Sequence, residues 1–164
     1  MRIRKGGPDD VPAVLAMLDG AVEWLAARGR EGQWGSRPWS EFPERVRRIE
    51  EKAEGLWMAE VGGEAAGALA LSPLPEPYVD PAPGPELYVG LLVTARAFTG
   101  RGVGARLLEF ARGRARERGA TLLRVDCWAG GDGALIAYYQ RQGFTPTERV
   151  PVGTTAVQVL EMRV

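Results

Sequence analysis

The spacing of hydrophobic and polar positions predicts a strand and a helix at the start of the chain. MRIRK has the composition of a short strand. Apolar side chains then recur at helical spacing from Val11 to Leu25, as in a helix with one buried face. Asp9 or Asp10 stands where a helix cap is expected, and Gly29 stands where the helix is expected to end.

A second helix and a β-hairpin are predicted before the middle of the chain. The segment REGQWGSRPW is expected to be a loop, after which Ser40 is suited to cap the helix EFPERVRRIEEKAE. Gly55 is expected to stop that helix. The apolar runs LWMAEV and AAGALALS flank the turn residues GGE, which is the pattern of two antiparallel strands.

Residues 73–85, PLPEPYVDPAPGP, contain six prolines. Proline fixes φ and lacks a backbone donor, so this density excludes a helix or a central strand. A linker between two domains is the alternative, but the residues before it contain too few strands and helices to close a core of their own. We therefore expect a long, stiff loop inside one domain.

The second half of the chain alternates between strands and helices. ELYVGLLV, TLLRVDCW and TTAVQVLEMRV are predicted strands. Between the first two lies a glycine-rich stretch and then a helix that ends near Arg118. GALIAYYQRQ is predicted to be a short helix that Gly143 ends.

Composition narrows the class of protein. The 164 residues have the length of a single domain, 1–164, and lysine plus arginine equals aspartate plus glutamate at 21 each. This balance leaves no excess of positive charge for binding nucleic acid, so no nucleic-acid partner is expected. The first residues lack the apolar core of a signal peptide, and no apolar run approaches the roughly 20 residues of a membrane span. A cytoplasmic protein without a membrane partner is therefore expected.

The absence of histidine removes several catalytic mechanisms. Ser-His-Asp and Cys-His nucleophiles need an imidazole, and the chain contains none. Its one cysteine, Cys127, excludes an internal disulfide and a cysteine-based zinc site, and it is expected to be a small buried residue. No metal site is expected. Any general base is left to Asp, Glu, Tyr, Lys, the amino terminus or water.

Three glycines stand at alternate positions before a predicted helix: Gly100, Gly102 and Gly104. Glycine there is often only a turn residue, but a helix start also presents unpaired N–H groups to a phosphate. A Walker A motif is excluded, because Lys and Ser or Thr are missing after the last glycine. The dinucleotide fingerprint fits better, with Asp126 at the end of the next strand, but TARAFT separates the glycines from the preceding strand. A dinucleotide-binding oxidoreductase is therefore a third choice.

Three segments together resemble the GNAT superfamily of N-acetyltransferases. LLVTARAFTGRGVGARLLEFA resembles the acetyl-CoA binding motif of that family, with Gly102 and Gly104 on its two small positions. DGALIAYYQRQGF resembles its second signature, and WMAEVGGEAAGALAL is similar to its central hairpin. The resemblance covers nearly the whole chain. It implies an α/β (α+β) domain with a mostly antiparallel sheet, splayed between strands 4 and 5 and flanked by helices.

The resemblance implies transfer of an acetyl group from acetyl-CoA to a primary amine by direct attack. Tyr139 matches the general acid for the departing thiolate, and Glu86, at the start of the fourth strand, is the candidate general base. A backbone N–H near Leu91 or Leu92 is expected to stabilise the oxyanion. The expected cofactor-binding residues are Leu91, Leu92, Val93, Arg101, Gly102, Val103, Gly104, Ala105 and Asp132.

Two residues depart from the family's pattern. Thr99 stands where the motif has Gln or Arg, which removes a side-chain contact to phosphate, and Arg101 or Arg106 is a candidate replacement. Asp132 stands where many members have Asn. An ionised aspartate accepts hydrogen bonds but cannot donate them, so a contact to the cofactor would differ there.

The acceptor is left open by the sequence. Aromatic residues crowd the segments where the family places its acceptor site, and they fit either a core or an aromatic pocket: Trp24, Trp34, Trp39 and Phe42. A small-molecule or peptide amine is the expected acceptor, and a homodimer is compatible with the sequence. A non-catalytic acyl-CoA-binding or sensing domain is the alternative function.

Overall fold

The computed structural model of the protein describes residues 1–29 and 34–164, so residues 30–33 of the predicted loop REGQWGSRPW lie outside the described residues. Strands and helices follow one another along the described chain. They are β1 (Arg2–Lys5), α1 (Val11–Ala27), α2 (Pro43–Glu51), β2 (Leu56–Val61), β3 (Glu64–Ser72), β4 (Glu86–Thr94), α3 (Val103–Glu117), β5 (Leu122–Trp128), α4 (Ala134–Arg141), β6 (Thr145–Val152) and β7 (Thr155–Arg163).

These elements form two compact units. The first unit contains Met1–Ala70 and Leu91–Leu107, and the second unit contains Leu71–Gly90 and Leu108–Val164. Hydrogen-bonded strands follow the order β1-β2-β3-β4 in the first unit and β4-β5-β7-β6 in the second. β3 and β4 therefore contribute residues to both units.

The first unit is built on the predicted hairpin. β2 and β3 are antiparallel and are joined by Gly62 and Gly63, whose φ angles of 60° and 82° suit a two-residue hairpin turn. β1 pairs antiparallel with the other side of β2. The apolar face of α1 packs on these strands, where Val14, Leu18 and Met58 are at most 1% exposed.

The helices of the first unit lie where the sequence predicts them, but their caps differ. α1 follows Asp10, whose carboxylate pairs with Arg4 at 2.7 Å rather than with a helix amide. Ser40 does not cap α2, which begins at Pro43. The amide and hydroxyl of Ser40 instead donate to the carboxylate of Asp19 in α1, at 2.9 and 2.6 Å. This long-range pair holds the turn before α2 against α1.

The second unit contains a parallel pair of strands. β4 runs parallel to β5 from Glu86–Leu122 to Val89–Val125, which covers less than half of the nine residues of β4. β5 pairs antiparallel with β7, and β7 pairs antiparallel with β6. The described pairings are therefore mostly antiparallel, and the β4–β5 ladder is confined to one end, as the predicted splay requires.

The sequence pattern missed one strand and was right about one loop. β6 has mostly exposed side chains and contains Pro146 and Pro151, so neither alternation nor composition indicated a strand. This segment is a strand because it pairs with β7, and the pairing is interrupted between Pro146 and Arg149. Residues 73–85, the proline-rich loop, contain no helix or strand among the described residues, as predicted.

Candidate active site

Helix α3 begins at Val103, among the three alternating glycines Gly100, Gly102 and Gly104. Gly100 and Gly102 have φ angles of 77° and 74°, a left-handed conformation that favours glycine, so the turn itself requires them. The amide of Arg106 donates to the carbonyl of Gly102 at 3.1 Å, which closes the first turn of the helix. Three amides precede that bond: those of Val103, Gly104 and Ala105. As the first amides of a helix they have no partner carbonyl within α3, so together with the helix dipole they suit an anion.

A glycine of β3 sets the distance between that strand and the start of α3. A Cβ atom at Gly67 would lie 2.8 Å from Cγ1 of Val103 and 3.1 Å from Cδ1 of Leu107. It would also lie 3.0 Å from the carbonyl oxygen of Val93 in β4. The first turns of α3 therefore pack on the strands at a distance that only glycine permits at this position.

The other predicted cofactor-binding residues of the first unit lie on β4 and in the turn before α3. Leu91 and Leu92 are half-buried, and Leu91 packs against the core of the first unit. Val93 is buried. Arg101 is exposed, with its guanidinium 5.1 Å from the ring centre of Phe98. Contacts of these residues to a cofactor stay a prediction.

Tyr139, the predicted general acid, lies in α4 of the second unit. It is 7% exposed, and its ring makes edge contacts with Tyr138 and Phe144 at centroid distances of 5.2 and 5.8 Å. Burial raises the pKa of Tyr139, and the nearby Cys127 and Asp126 raise it further. A phenol with a raised pKa keeps its proton at neutral pH and so starts the reaction in the form an acid needs.

Cys127 and Asp132 have local roles in the second unit. Cys127 is buried in β5, as predicted, and burial together with the charge of Asp126 raises the pKa of its thiol to about 12. A thiol that holds its proton at neutral pH is a poor nucleophile.

The Asp132 carboxylate accepts a hydrogen bond from the amide of Ala134 at 3.0 Å, at the start of α4. A contact of Asp132 to the cofactor stays a prediction.

Glu86, the predicted general base, is buried at the start of β4. Its Oε1 accepts a hydrogen bond from Arg124 at 3.0 Å, and its Oε2 accepts one from the amide of Ala82 at 2.6 Å. The side chains of Glu86 and Arg124 are 4% and 9% exposed. Both carboxylate oxygens thus have partners, and the ion pair joins β4 and β5 to the proline-rich loop. The role of Glu86 as a base stays a prediction.

The partners of Asp126 were not found from the sequence. Its Oδ2 accepts a hydrogen bond from Tyr88 in β4 at 2.5 Å, and its Oδ1 accepts one from Tyr78 in the proline-rich loop at 3.0 Å. These partners are 38 and 48 positions away in the chain, so no local pattern could pair them. The one available signal was Tyr78 itself, which is the only aromatic residue among the prolines of the loop.

The aromatic residues of the first unit are divided between core and surface. Trp34 and Trp39 pack edge to face, with ring centres 5.5 Å apart, against the apolar core. Trp24 contacts the guanidiniums of Arg28 and Arg96, each 4.1 Å from the centre of a ring. A cavity of about 390 Å³ beside α1 is lined in part by the carboxylates of Asp19, Glu23 and Glu41.

Two features are absent from the described part of the chain. No three His, Cys, Asp or Glu side chains in residues 1–29 and 34–164 are grouped so that they could hold a metal ion. None of the helices in these residues has both the length and the hydropathy needed to cross a membrane.

Comparison with known proteins gives matches along most of the chain. The model of the acetyltransferase (GNAT) family matches residues 19–144. The protein named "Uncharacterized N-acetyltransferase YesJ", from Bacillus subtilis (strain 168), is 28% identical over 141 residues. Those residues are 83% of this chain and 77% of the relative.

Solved structures share the fold. A GNAT family acetyltransferase from Listeria monocytogenes 4b F2365 matches with a TM-score of 0.73 at 22% identity, over 99% of this chain and 94% of that one. The putative acetyltransferase yncA from Salmonella typhimurium, solved with its cofactor acetyl-CoA, matches with a TM-score of 0.67 at 18% identity, over 99% and 93% of the two chains. The fold implied by the sequence resemblance is thereby confirmed.

Proposed function

The chain belongs to the acetyltransferase (GNAT) family, and on that premise we propose that it transfers the acetyl group of acetyl-CoA to a primary amine by direct attack. The observation that carries the proposal is the start of α3, where three amides without helical partners follow a left-handed glycine. Such a start binds pyrophosphate through the backbone and the helix dipole. The proposal treats residues 1–164 as one domain, because the family match at 19–144 includes parts of both units.

The backbone contacts make the binding tolerant of side-chain changes. Thr99 replaces the Gln or Arg of the family's motif, so one side-chain donor to phosphate is lost. The three amides of α3 do not depend on that side chain, and Arg101 is exposed in the same turn. We therefore expect acetyl-CoA to bind despite the departure at Thr99.

Two groups act in the proposed reaction, a backbone N–H on the oxyanion and Tyr139 on the departing sulfur. A backbone N–H near Leu91 or Leu92 stabilises the oxyanion that forms when the neutral amine attacks the thioester carbon. Tyr139 gives its proton to the sulfur as the carbon–sulfur bond breaks. One of the two protons left on the attacking nitrogen then restores the phenol, and the other stays on the amide. The balance is one ammonium ion and acetyl-CoA giving an amide, the CoA thiol and one proton.

Direct attack is supported by the state of the only cysteine. Cys127 is buried, with its pKa raised to about 12, so it is a poor candidate for an acetylated intermediate. We expect Cys127→Ala to keep kcat within about twofold of the wild type. Acetylation of Cys127 during turnover, detected by mass spectrometry, would contradict direct attack.

The acceptor must lose a proton before it attacks, because an alkyl ammonium ion has a pKa of about 10. We propose Glu86 as the base, with Asp126 or water as the alternatives, since Arg124 and Ala82 already bind both oxygens of Glu86. The pH–rate profile of Glu86→Gln distinguishes them. A loss of turnover that is greatest at low pH assigns the role to Glu86, and a profile of unchanged shape assigns it to Asp126 or to water.

An acetylation screen tests the proposed function. The protein is incubated with acetyl-CoA and a panel of aliphatic amines, arylamines and peptides with free amino groups, and release of the CoA thiol is measured. We expect thiol release that depends on an amine, together with a product heavier by one acetyl group. Binding of acetyl-CoA with no amine acetylated would indicate the non-catalytic alternative instead.

A further inference from the structure

Arg45 is a half-buried cation in α2 of the first unit. Its guanidinium lies over two aromatic rings, 4.7 Å from the ring centre of Trp39 and 4.3 Å from that of Phe42. Nη1 of Arg45 also donates a hydrogen bond to the carbonyl of Trp34 at 3.3 Å. We call these four residues the Arg45 cluster. Contacts to three residues hold the guanidinium in one place.

The positive charge of Arg45 has no counter-ion in the part of the chain that the structure describes. No carboxylate of residues 1–29 and 34–164 forms an ion pair with it. The charge that acts on it is that of Arg48 in the same helix, which has the same sign. Burial and this repulsion lower the pKa of Arg45, yet a guanidinium stays charged at neutral pH. A cation that is partly removed from water without a counter-ion is unfavourable, and a bound anion would relieve this cost.

A second arginine on the same ring has the counter-ion that Arg45 lacks. Arg37 lies over Phe42 at 4.9 Å and is paired with Glu41 at 3.0 Å. The side chain of Arg37 is 66% exposed, so water already stabilises its charge. The more exposed arginine therefore has a carboxylate, and the more buried one has none among the described residues.

The Arg45 cluster also contains hydrogen-bond donors without acceptors. Nε1 of Trp39 is buried and forms no hydrogen bond. Buried N–H groups are nearly always paired, because an unpaired one has lost its bond to water and gained nothing. The guanidinium has several N–H groups, and the carbonyl of Trp34 is the acceptor that the described residues offer them. Unused donors beside an uncompensated charge suit a ligand with negatively charged oxygens.

The Arg45 cluster is fixed to the rest of the first unit. Trp34 and Trp39 pack against the apolar core that Leu91 of β4 also contacts. Directly after Trp39, the amide and hydroxyl of Ser40 donate to the Asp19 carboxylate of α1, at 2.9 and 2.6 Å. The donors are therefore presented by a held segment, so little ordering is needed when a ligand binds.

We propose that the Arg45 cluster binds an oxyanion group, a carboxylate or a phosphate, through the guanidinium of Arg45 and with Nε1 of Trp39 as a second donor. The planar guanidinium matches two oxygens of either group. The oxyanion is a substituent of the acceptor amine or a separate small anion. The binding site does not depend on the acetyl transfer proposed above, whereas its assignment to the acceptor rests on that transfer.

Titration with inorganic phosphate at constant ionic strength tests the site. The readout is the NMR signal of the Trp39 indole N–H, which is identified by its loss in Trp39→Phe. We expect a saturable shift of this signal in the wild type, and about tenfold weaker binding or none in Arg45→Gln. Arg47→Gln removes the same charge from an exposed position of α2 and is the matched control, with wild-type binding expected.

If Arg45→Gln does not fold, Arg45→Lys provides the comparison. Lysine keeps the charge and loses the planar pair of donors, so about threefold weaker binding of phosphate than in the wild type is expected. Wild-type affinity in Arg45→Lys would contradict recognition by the guanidinium.

Kinetics with ω-amino acids and their amides identify the source of the oxyanion, because each pair has the same amine and only the acid has a carboxylate. If the acceptor carries the oxyanion, phosphate competes with the acids alone. Arg45→Gln then raises the KM for the acids by about tenfold and leaves the KM for the amides unchanged. If the oxyanion is a separate anion, phosphate changes the turnover of acids and amides alike.

Three results would overturn the proposal: no saturable shift of the Trp39 signal, a shift that survives unchanged in Arg45→Gln, or equal weakening in Arg45→Gln and Arg47→Gln. The phosphate titration needs no turnover. Absence of acetyl transfer to any amine would therefore refute the proposed function and not the oxyanion site.

Discussion

The start of α3 in the first unit differs in construction from the cluster that Asp126 forms with Tyr78 and Tyr88 in the second unit, here called the Asp126 cluster. The start of α3 uses consecutive residues, 99–105, and its functional groups are backbone amides. The Asp126 cluster uses side chains 38 and 48 positions apart in the chain. A site made of backbone amides can therefore be predicted from a short stretch of sequence, whereas a cluster of distant side chains forms only after the strands have paired.

The largest effect is expected from breaking the buried ion pair between Glu86 and Arg124 in the second unit. Arg124→Met leaves the Glu86 carboxylate buried without its cation, and the loop loses the hydrogen bond to Asp80. Removing one partner of a buried pair costs about 3–5 kcal/mol of unfolding free energy. A fall in Tm of roughly 6–20 °C is therefore expected in thermal unfolding.

The matched control removes both charges. Glu86→Gln combined with Arg124→Met leaves no unpaired buried charge, so the double variant is expected to be more stable than Arg124→Met alone. A double variant less stable than the single one, or a single variant that unfolds like the wild type, would contradict the account of this ion pair.

The next largest effect is expected from the removal of a single hydroxyl group, that of Tyr139. Tyr139→Phe keeps the ring and its edge contacts with Tyr138 and Phe144, so folding and acetyl-CoA affinity are expected to survive. We expect kcat to fall by about ten- to a thousandfold, because the sulfur leaves without a proton donor. Tyr138→Phe is the control and is expected to leave kcat unchanged. Normal turnover by Tyr139→Phe, or a loss confined to Tyr138→Phe, would show that the acid is wrongly assigned.

A smaller effect tests whether the backbone site depends on close packing. The added methyl of Gly67→Ala meets Val103 and Val93 at 2.8 and 3.0 Å, so it is expected to displace the start of α3. Overpacking of this kind costs about 1–3 kcal/mol, and acetyl-CoA affinity is expected to fall with it. Val103→Ala removes the closest contact and is expected to recover part of the loss in the double variant. If Gly67→Ala keeps wild-type stability and acetyl-CoA affinity, close packing at Gly67 does not position the start of α3.

Prediction from sequence succeeded where neighbouring residues decide the structure. The hairpin at Gly62–Gly63, the helix around Tyr139 and the glycine turn before α3 all follow from local spacing and turn residues. It failed where distant partners decide. β6 is a strand only because β7 pairs with it, Ser40 binds Asp19 of α1 instead of capping α2, and the partners of Asp126 come from another strand and a loop.

Calorimetric titration of acetyl-CoA tests the central claim, that the start of α3 is the cofactor site. Gly104→Glu puts a bulky negative charge in the first turn, whereas Gly113→Glu adds the same charge where a Cβ would meet no described atom within 4 Å. We expect the wild type and Gly113→Glu to bind acetyl-CoA alike, Gly104→Glu to bind about a hundredfold more weakly or not at all, and NAD not to bind. Equal binding by the two glutamate variants, or binding of NAD without acetyl-CoA, would contradict the account.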